Sequence, residues 1–310
     1  MKEYVVNQKL MGTAFTLGLL AEEEAQAKLW LEMGVNEIKR AENLLSEFLP
    51  GSETTRINEG AGLEPLKIDK ECFELIKRCY SISILTKGDF DITVSPLKKS
   101  YQFNNTQFEM PGKQIINRVL QCVCYREMIL IINDSTIEFR HPRTKISFAA
   151  IGKGYASDNV KKLWSENGVK SGYINASGDL NAFGKRADGT AWKIGIANPD
   201  DRDKILFFVP LQNFSAATSG DYEQYFLYKN KRYSHNINPH TGMPLSGIKS
   251  VTVFSPSAEL SDALATAIYV KGVGKGIAFA NHLPQTHCVI IDDKNKIYFS
   301  NKLNYETVSI

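Results

Sequence analysis

In Asp262-Ala-Leu-Ala-Thr266 a carboxylate and a hydroxyl stand four residues apart. On a helix this spacing puts both oxygens on one face, within reach of one hard cation, and oxygen donors of that kind suit magnesium. The plainer reading of the pentapeptide alone is an exposed first-turn aspartate favoured by the helix dipole, with a threonine bonded back to its own helix. Thr218-Ser219-Gly220-Asp221 offers two hydroxyls, a permissive glycine and a carboxylate after an apolar strand. A turn of that composition holds phosphate through hydroxyl and backbone N–H donors, or is an ordinary capping turn. Ser234-His235-Asn-Ile-Asn238-Pro239-His240-Thr241-Gly242 gathers two of the five histidines into a loop of fixed-turn residues. A general base can be held rigidly there, although a loop histidine is more often just solvated. Ala149-Ala150-Ile151-Gly152-Lys153-Gly154 sets small residues and a lysine before a helix N-terminus, as phosphate loops do, but lacks the G-x-x-x-x-G-K-[ST] spacing of a Walker A site.

These residues need elements to carry them. From Glu22 to Phe48 the positions Leu31, Val35, Ile38, Ala41, Leu45 and Phe48 recur every three or four residues, the stripe of an amphipathic helix ended by Pro50-Gly51-Ser52. A second helix is expected from Lys70 to Thr86, with Cys72, Leu75, Ile76, Cys79 and Ile82 on one face, the two cysteines as core fillers or half-exposed thiols, and Gly88 closing it. Residues 126–140 read as two short strands about Asn133-Asp134. Arg143–Phe148 reads as a strand leading through a turn into a helix from Lys153 to Asn167. Strands are expected at 171–176, 191–197, 205–209, 214–217 and 248–254, then a long helix from Ser257–Ser261, a shorter one ending near His282, and a hairpin about Asp292–Asn295. Helices and strands mix without strict alternation, so the expected class is α+β, with mixed sheets and packed helices in a single domain over residues 1–310.

Composition bounds the partners. The 310 residues are 43% hydrophobic and 23% charged with a net charge of +3 spread without basic blocks, so no nucleic-acid footprint is visible. Five cysteines without a C-x-x-C pair suggest neither a disulfide framework nor a zinc ribbon. The apolar run Met11–Ala21 is broken by Gly12, Thr13, Thr16 and Gly18 and reads as a strand, so neither an export signal nor a membrane span is expected. The chain reads as cytoplasmic, or as a cell-envelope protein if a leader preceded Met1.

Taken in order, the short motifs form a pattern. Met11-Gly12-Thr13, Ser52–Asn58, Phe90-Asp91-x-Thr93-Val94, Ile151-Gly152-Lys153-Gly154-Tyr155-Ala156 with Asp158, and Gly178-Asp179 are followed by Trp192-x-x-Gly195-Ile196 and Thr218-Ser219-Gly220-Asp221-Tyr222-Glu223. His235-x-Ile237-x-Pro239-x-Thr241-Gly242-x-Pro244 and Ser261-Asp262-Ala263-Leu264-Ala265-Thr266 complete the set. Over about residues 11–272 the chain resembles the flavin-transferase family ApbE.

That resemblance implies magnesium-dependent transfer of FMN from FAD to a threonine or serine hydroxyl of a target protein, with release of AMP. Alternatives are FAD hydrolysis to FMN and AMP, or a non-catalytic FAD carrier or sensor. It implies metal ligation by the side chains of Asp262 and Thr266 and the carbonyls of Gly152 and Ala265, with manganese able to replace magnesium. FAD binding is implied at Met11, Thr93, Asp179, Thr218, Ser219, Gly220, Asp221 and His235. His235 would position or deprotonate the incoming hydroxyl, with Asp262 and Lys153 as further catalytic candidates. Ser147 and Asn238 stand where the family usually has aspartates, and Phe48 lies near where a flavin-stacking tyrosine often occurs. Loss of those carboxylates is expected to weaken a supporting network and permit slow FAD hydrolysis without acceptor. Restoring Asp at 147 and 238 is expected to favour transfer.

Overall fold

The computed structural model describes residues 1–101, 110–220, 225–229 and 231–307. The chain opens with a hairpin of β1 (Lys2–Leu10) and β2 (Thr13–Ala21). Next come α1 (Glu24–Leu45), α2 (Glu53–Gly60), β3 (Leu66–Lys67), α3 (Lys70–Thr86), a 3-10 turn at Ile92–Val94, α4 (Ser95–Ser100) and α5 (Lys113–Leu120). A short hairpin, β4 (Met128–Ile131) and β5 (Thr136–Phe139), leads to α6 (Gly152–Glu166). The strands β6 (Gly172–Ala176), β7 (Asp179–Phe183), β8 (Trp192–Asn198), β9 (Asp201–Leu211), β10 (Ser215–Gly220), β11 (Tyr225–Tyr228), β12 (Lys231–Ser234) and β13 (Ile248–Ser255) follow. The chain closes with α7 (Ala258–Lys271), α8 (Val273–His282), β14 (His287–Asp292), β15 (Ile297–Phe299) and β16 (Glu306–Thr307).

An eight-stranded sheet in the order β1-β2-β6-β7-β10-β13-β14-β15 takes strands from both ends of the chain. Its two faces are divided by the alternation of side chains along each strand. On one face Phe15, Leu17, Leu19 and Ile174 pack with the stripe Ala27, Leu31, Val35, Ile38, Ala41 and Leu45 of α1 and with Tyr155, Val160 and Trp164 of α6. Val251 and Val253 meet Leu264 and Ile268 of α7, whereas their neighbour Phe254 turns to the other face and joins Leu180, Ala216 and the β8–β9 residues Ile196, Phe207 and Val209. Helices therefore cover one face and the β8–β9 ribbon the other, which is the α+β arrangement read from the sequence.

Local chemistry explains the long helices. Asp69 caps α3 by accepting the backbone N–H groups of Glu71 and Cys72, and the helix ends at Lys87 in the left-handed region at φ 61°. Cys72 and Cys79 are buried on its core face, where burial holds both thiols in the protonated form. Ser257 caps α7 through Leu260 N–H. A second anchor comes from α6, whose Asp158 carboxylate accepts from Ser257 Oγ at 2.8 Å and from the N–H groups of Ala258 at 3.1 Å and Glu259 at 3.0 Å.

Gly154 allows that approach. A Cβ there would lie 2.2 Å from the Ala258 carbonyl oxygen and 2.7 Å from Glu259 N. Both are backbone atoms that cannot step aside, so Gly154→Ala is expected to force α6 and α7 apart. The expected loss is about 3 kcal/mol or more, at the upper end of overpacking effects. Chemical denaturation checks this; a midpoint unchanged from wild type would show that the two helices are not held this closely.

Three expectations fail. The first helix stops at Leu45, so Phe48, read as part of its apolar stripe, lies beyond the helix and is exposed. Arg143–Phe148 is irregular rather than a strand, because Ile146 N–H donates to Asn58 Oδ1 and Ser147 N–H to the Ile92 carbonyl instead of to a strand partner. Thr218, Ser219 and Gly220 are not a turn. They continue β10, each paired with β13, from Thr218 opposite Thr252 to Gly220 opposite Ser250. Tertiary pairing overrides the turn preference of Ser and Gly here. Asp221 lies outside the described residues.

Candidate active site

A cleft of about 1020 Å³ opens beside the helix-covered end of the sheet, with Met11, Phe48, Lys98, Gly152, Lys153 and His235 among its lining residues. Two hairpin turns reach it side by side. Met11 and Gly12 join β1 to β2 at φ 50° and 75°, and Ser177 and Gly178 join β6 to β7 at φ 53° and 103°. Both central residues of each turn have positive φ, the twist that two-residue hairpins favour. Ser177 N–H donates to the Ala14 carbonyl at 2.9 Å and ties the turns together.

Lys153 stands in the first turn of α6 and reaches Asp179 Oδ2 at 2.5 Å. The other oxygen of Asp179 accepts Thr218 N–H at 2.7 Å, so one carboxylate joins the start of α6 to β7 and β10. Thr218 Oγ1 lies 2.9 Å from Thr252 Oγ1, and Ser219 Oγ lies 3.2 Å from Thr266 Oγ1 on α7. Asp262, one turn earlier on α7, accepts the Gly154 N–H through Oδ2 at 3.2 Å. It is 6% exposed, so the plain reading of an exposed first-turn aspartate does not hold. Asp262 thus meets the start of α6 at Gly154, two residues after Gly152, while Thr266, one turn further along α7, meets β10 at Ser219.

A hard carboxylate, a hydroxyl and a neighbouring backbone oxygen make a donor set that fits a small divalent cation. Ala265 lies within α7, where its carbonyl already serves the helix ladder and has only its second lone pair to give. Among the described residues no group of three His, Cys, Asp or Glu side chains could hold a metal ion.

Not every candidate reaches the cleft. Thr93 is fully buried and donates to Asp91 Oδ1 at 2.7 Å, while Asp91 also accepts the Tyr125 N–H at 2.8 Å. Thr93 is separated from the cleft surface and fastens the 3-10 turn that leads into α4. Of the two loop histidines, His235 lines the cleft in the bend after β12. His240 instead pairs with Asp89 at 3.0 Å. Gly220 is buried in β10. Phe48, 83% exposed, stands at the cleft wall with its ring free to stack on a planar ligand.

Sequence reasoning missed Glu47, Ser95 and Lys98, all in the cleft wall. The carboxylate expected to be lacking at position 147 is supplied from position 47. Ser147 Oγ donates to Glu47 Oε1 at 2.6 Å, Ser95 Oγ to Oε2 at 2.8 Å, and Lys99 Nζ lies 3.5 Å away. Position 147 therefore does not want an aspartate in this chain. Ser147→Asp alone is expected to set two carboxylates against each other and cost about 1–3 kcal/mol of stability. Glu47→Ser combined with Ser147→Asp should recover most of it. Thermal unfolding of the three variants checks the exchange; a single variant as stable as wild type would disprove it. Asn238 Oδ1 accepts from His240 N–H at 2.8 Å and Thr241 N–H at 3.2 Å, turn bonds that an aspartate at this position could also accept.

The fold and site together define an α+β protein that brings a cleft of dinucleotide size, an oxygen-rich helix junction and the His235 imidazole to the same end of its main sheet. Residues 11–290 match the ApbE family, and the chain belongs to that family. It is 27% identical over 303 residues to the FAD:protein FMN transferase of Vibrio cholerae serotype O1, covering 94% of this chain and 88% of the relative. It is 28% identical over 281 residues to the FAD:protein FMN transferase of Escherichia coli K12, covering 87% and 79%. The crystal structure of the ApbE protein from Thermotoga maritima superposes with a TM-score of 0.89 at 26% identity, covering 97% of both chains. The flavin transferase ApbE from Vibrio cholerae gives a TM-score of 0.85 at 25% identity, again covering 97% of each. No helix among the described residues is long and apolar enough to cross a membrane.

Proposed function

We propose that this chain transfers the FMN half of FAD to a threonine or serine hydroxyl of an acceptor protein and releases AMP, with residues 1–310 acting as one unit. The observation that carries the reading is the convergence of His235, Lys153 and Gly152 in one cleft, with Asp262 of α7 bonded to the first turn of α6 at Gly154 and Thr266 one turn further along α7 against Ser219. The names of the curated relatives supply the reaction.

In this reading the acceptor oxygen attacks the phosphorus on the FMN side. The bond from that phosphorus to the bridging oxygen breaks, and AMP leaves with the electron pair. His235 orients the hydroxyl and takes its proton, a role suited to an imidazole near neutral pH. Lys153, held by Asp179, presents positive charge to the phosphates, and Asp179 also fixes the backbone of Thr218. Thr218, Ser219 and Gly220 offer their strand edge to the dinucleotide, with Asp221 beyond them. Met11 and Phe48 form the apolar surface for the isoalloxazine ring. Thr93 serves binding indirectly, through the Asp91 turn that sets α4. A magnesium or manganese ion held by Asp262, Thr266 and the carbonyls of Gly152 and Ala265 would supply charge stabilisation for the phosphoryl oxygens.

The test is to incubate the protein with FAD and magnesium, with and without an acceptor bearing an exposed threonine. AMP should appear slowly without acceptor and faster with it, and the acceptor's intact mass should rise by one FMN phosphoester. Equal AMP and free FMN whether or not acceptor is present would make the protein a pyrophosphatase. Tight FAD binding with no AMP would make it a carrier.

A further inference from the structure

Three lysines line the cleft, and two have partners on the protein. Lys153 pairs with Asp179 at 2.5 Å, and Lys99, its side chain 63% exposed, lies 3.5 Å from Glu47. Lys98 differs. It is half-buried on α4, and its Nζ makes no hydrogen bond or ion pair among the described residues. Burial makes the ammonium harder to keep protonated, while the charges of Glu47 and Asp262 act the other way. Those carboxylates already have other donors. Both Glu47 oxygens accept serine hydroxyls, and Asp262 Oδ2 accepts the Gly154 N–H.

A partly desolvated ammonium without a hydrogen-bonding partner is unfavourable unless something anionic joins it. The pyrophosphate of a dinucleotide carries two negative charges, and Glu42 and Glu47 also line the cleft it would enter. With Lys153 held by Asp179 and Lys99 beside Glu47, Lys98 is the lining lysine whose ammonium is open to a phosphoryl oxygen. We propose that Lys98 donates directly to phosphoryl oxygens of the bound dinucleotide and holds its pyrophosphate even when no divalent ion is present. This rests on the reading that FAD is the substrate, and adds a residue that the short motifs do not contain.

The experiment compares equilibrium binding of FAD, ADP and riboflavin to wild type, Lys98→Met and Lys98→Arg, each in EDTA and in magnesium, with thermal unfolding as the control for folding. In EDTA, Lys98→Met should weaken FAD and ADP by about 10- to 100-fold, the scale of one charge-assisted hydrogen bond, and leave riboflavin, which has no phosphate, unchanged. Lys98→Arg should keep most of the affinity, and magnesium should narrow the difference. Lys98→Met that binds FAD and ADP as wild type does, or that loses riboflavin equally, would show that the lysine only balances Glu47 and Asp262. Wild type that binds riboflavin but neither FAD nor ADP under any condition would overturn the transferase reading and the lysine contact together.

Discussion

Asp262→Asn should lower acceptor-dependent AMP release by about 10²- to 10³-fold or more while the protein unfolds within about 2–4 °C of wild type. The change removes one negative charge from the helix junction and keeps nearly the same shape. The carboxamide oxygen can still accept the Gly154 N–H that Asp262 Oδ2 takes at 3.2 Å, so the contact between α6 and α7 survives. A neutral oxygen is a far poorer ligand for a hard divalent cation. Asparagine is a cleaner probe than alanine because Asp262 is 6% exposed, and truncation would leave a buried N–H without its acceptor. AMP release measured across a magnesium titration decides the matter. Activity equal to wild type at every magnesium concentration would remove Asp262 from the cation site, and partial recovery at high magnesium would support it.

His235→Ala should slow acceptor flavinylation by about 10²- to 10⁴-fold, the range for loss of a general base, while the FAD dissociation constant changes by about threefold or less. The imidazole lines the cleft from the bend after β12, whereas Lys153, Asp179 and Thr218 belong to the connected network on the other elements. A base acts on the incoming hydroxyl and should be felt in turnover rather than in dinucleotide binding. Single-turnover flavinylation and FAD titration on the same preparation separate the two effects. A weaker FAD complex with an unchanged rate at saturation would make His235 a flavin contact instead.

Much of the fold was legible because its signals are local. The three- and four-residue spacing in α1, the apolar face of α3 that carries Cys72 and Cys79, and Ser257 at the start of α7 lie within single segments, and these helices form where the sequence placed them, except that α1 stops at Leu45 and leaves Phe48 beyond its end. The edge strand β1 and the strand β7 escaped, since Lys2–Leu10 is largely exposed and Asp179–Phe183 is buried at every position, so neither shows alternation. The helices α2, α4 and α5 are eight residues or fewer, too short for a periodic stripe to stand out.

By itself the sequence determined the order of the motifs, and with it the family, together with the helical spacing that sets Asp262 and Thr266 on one face. Only the tertiary structure decided what surrounds them. Thr218–Gly220 became strand because β13 offers backbone partners, against the local turn preference. Gly154 and Asp158 proved to be the close approach and the cap that seat α7 on α6. The carboxylate absent at Ser147 arrives from Glu47, one hundred residues away in the chain, and Lys98 enters the same cleft from α4. Contacts of this kind join segments whose separation in sequence carries no period and no motif. Their geometry is set by how helices and strands pack, so they become visible only once the chain has closed on itself.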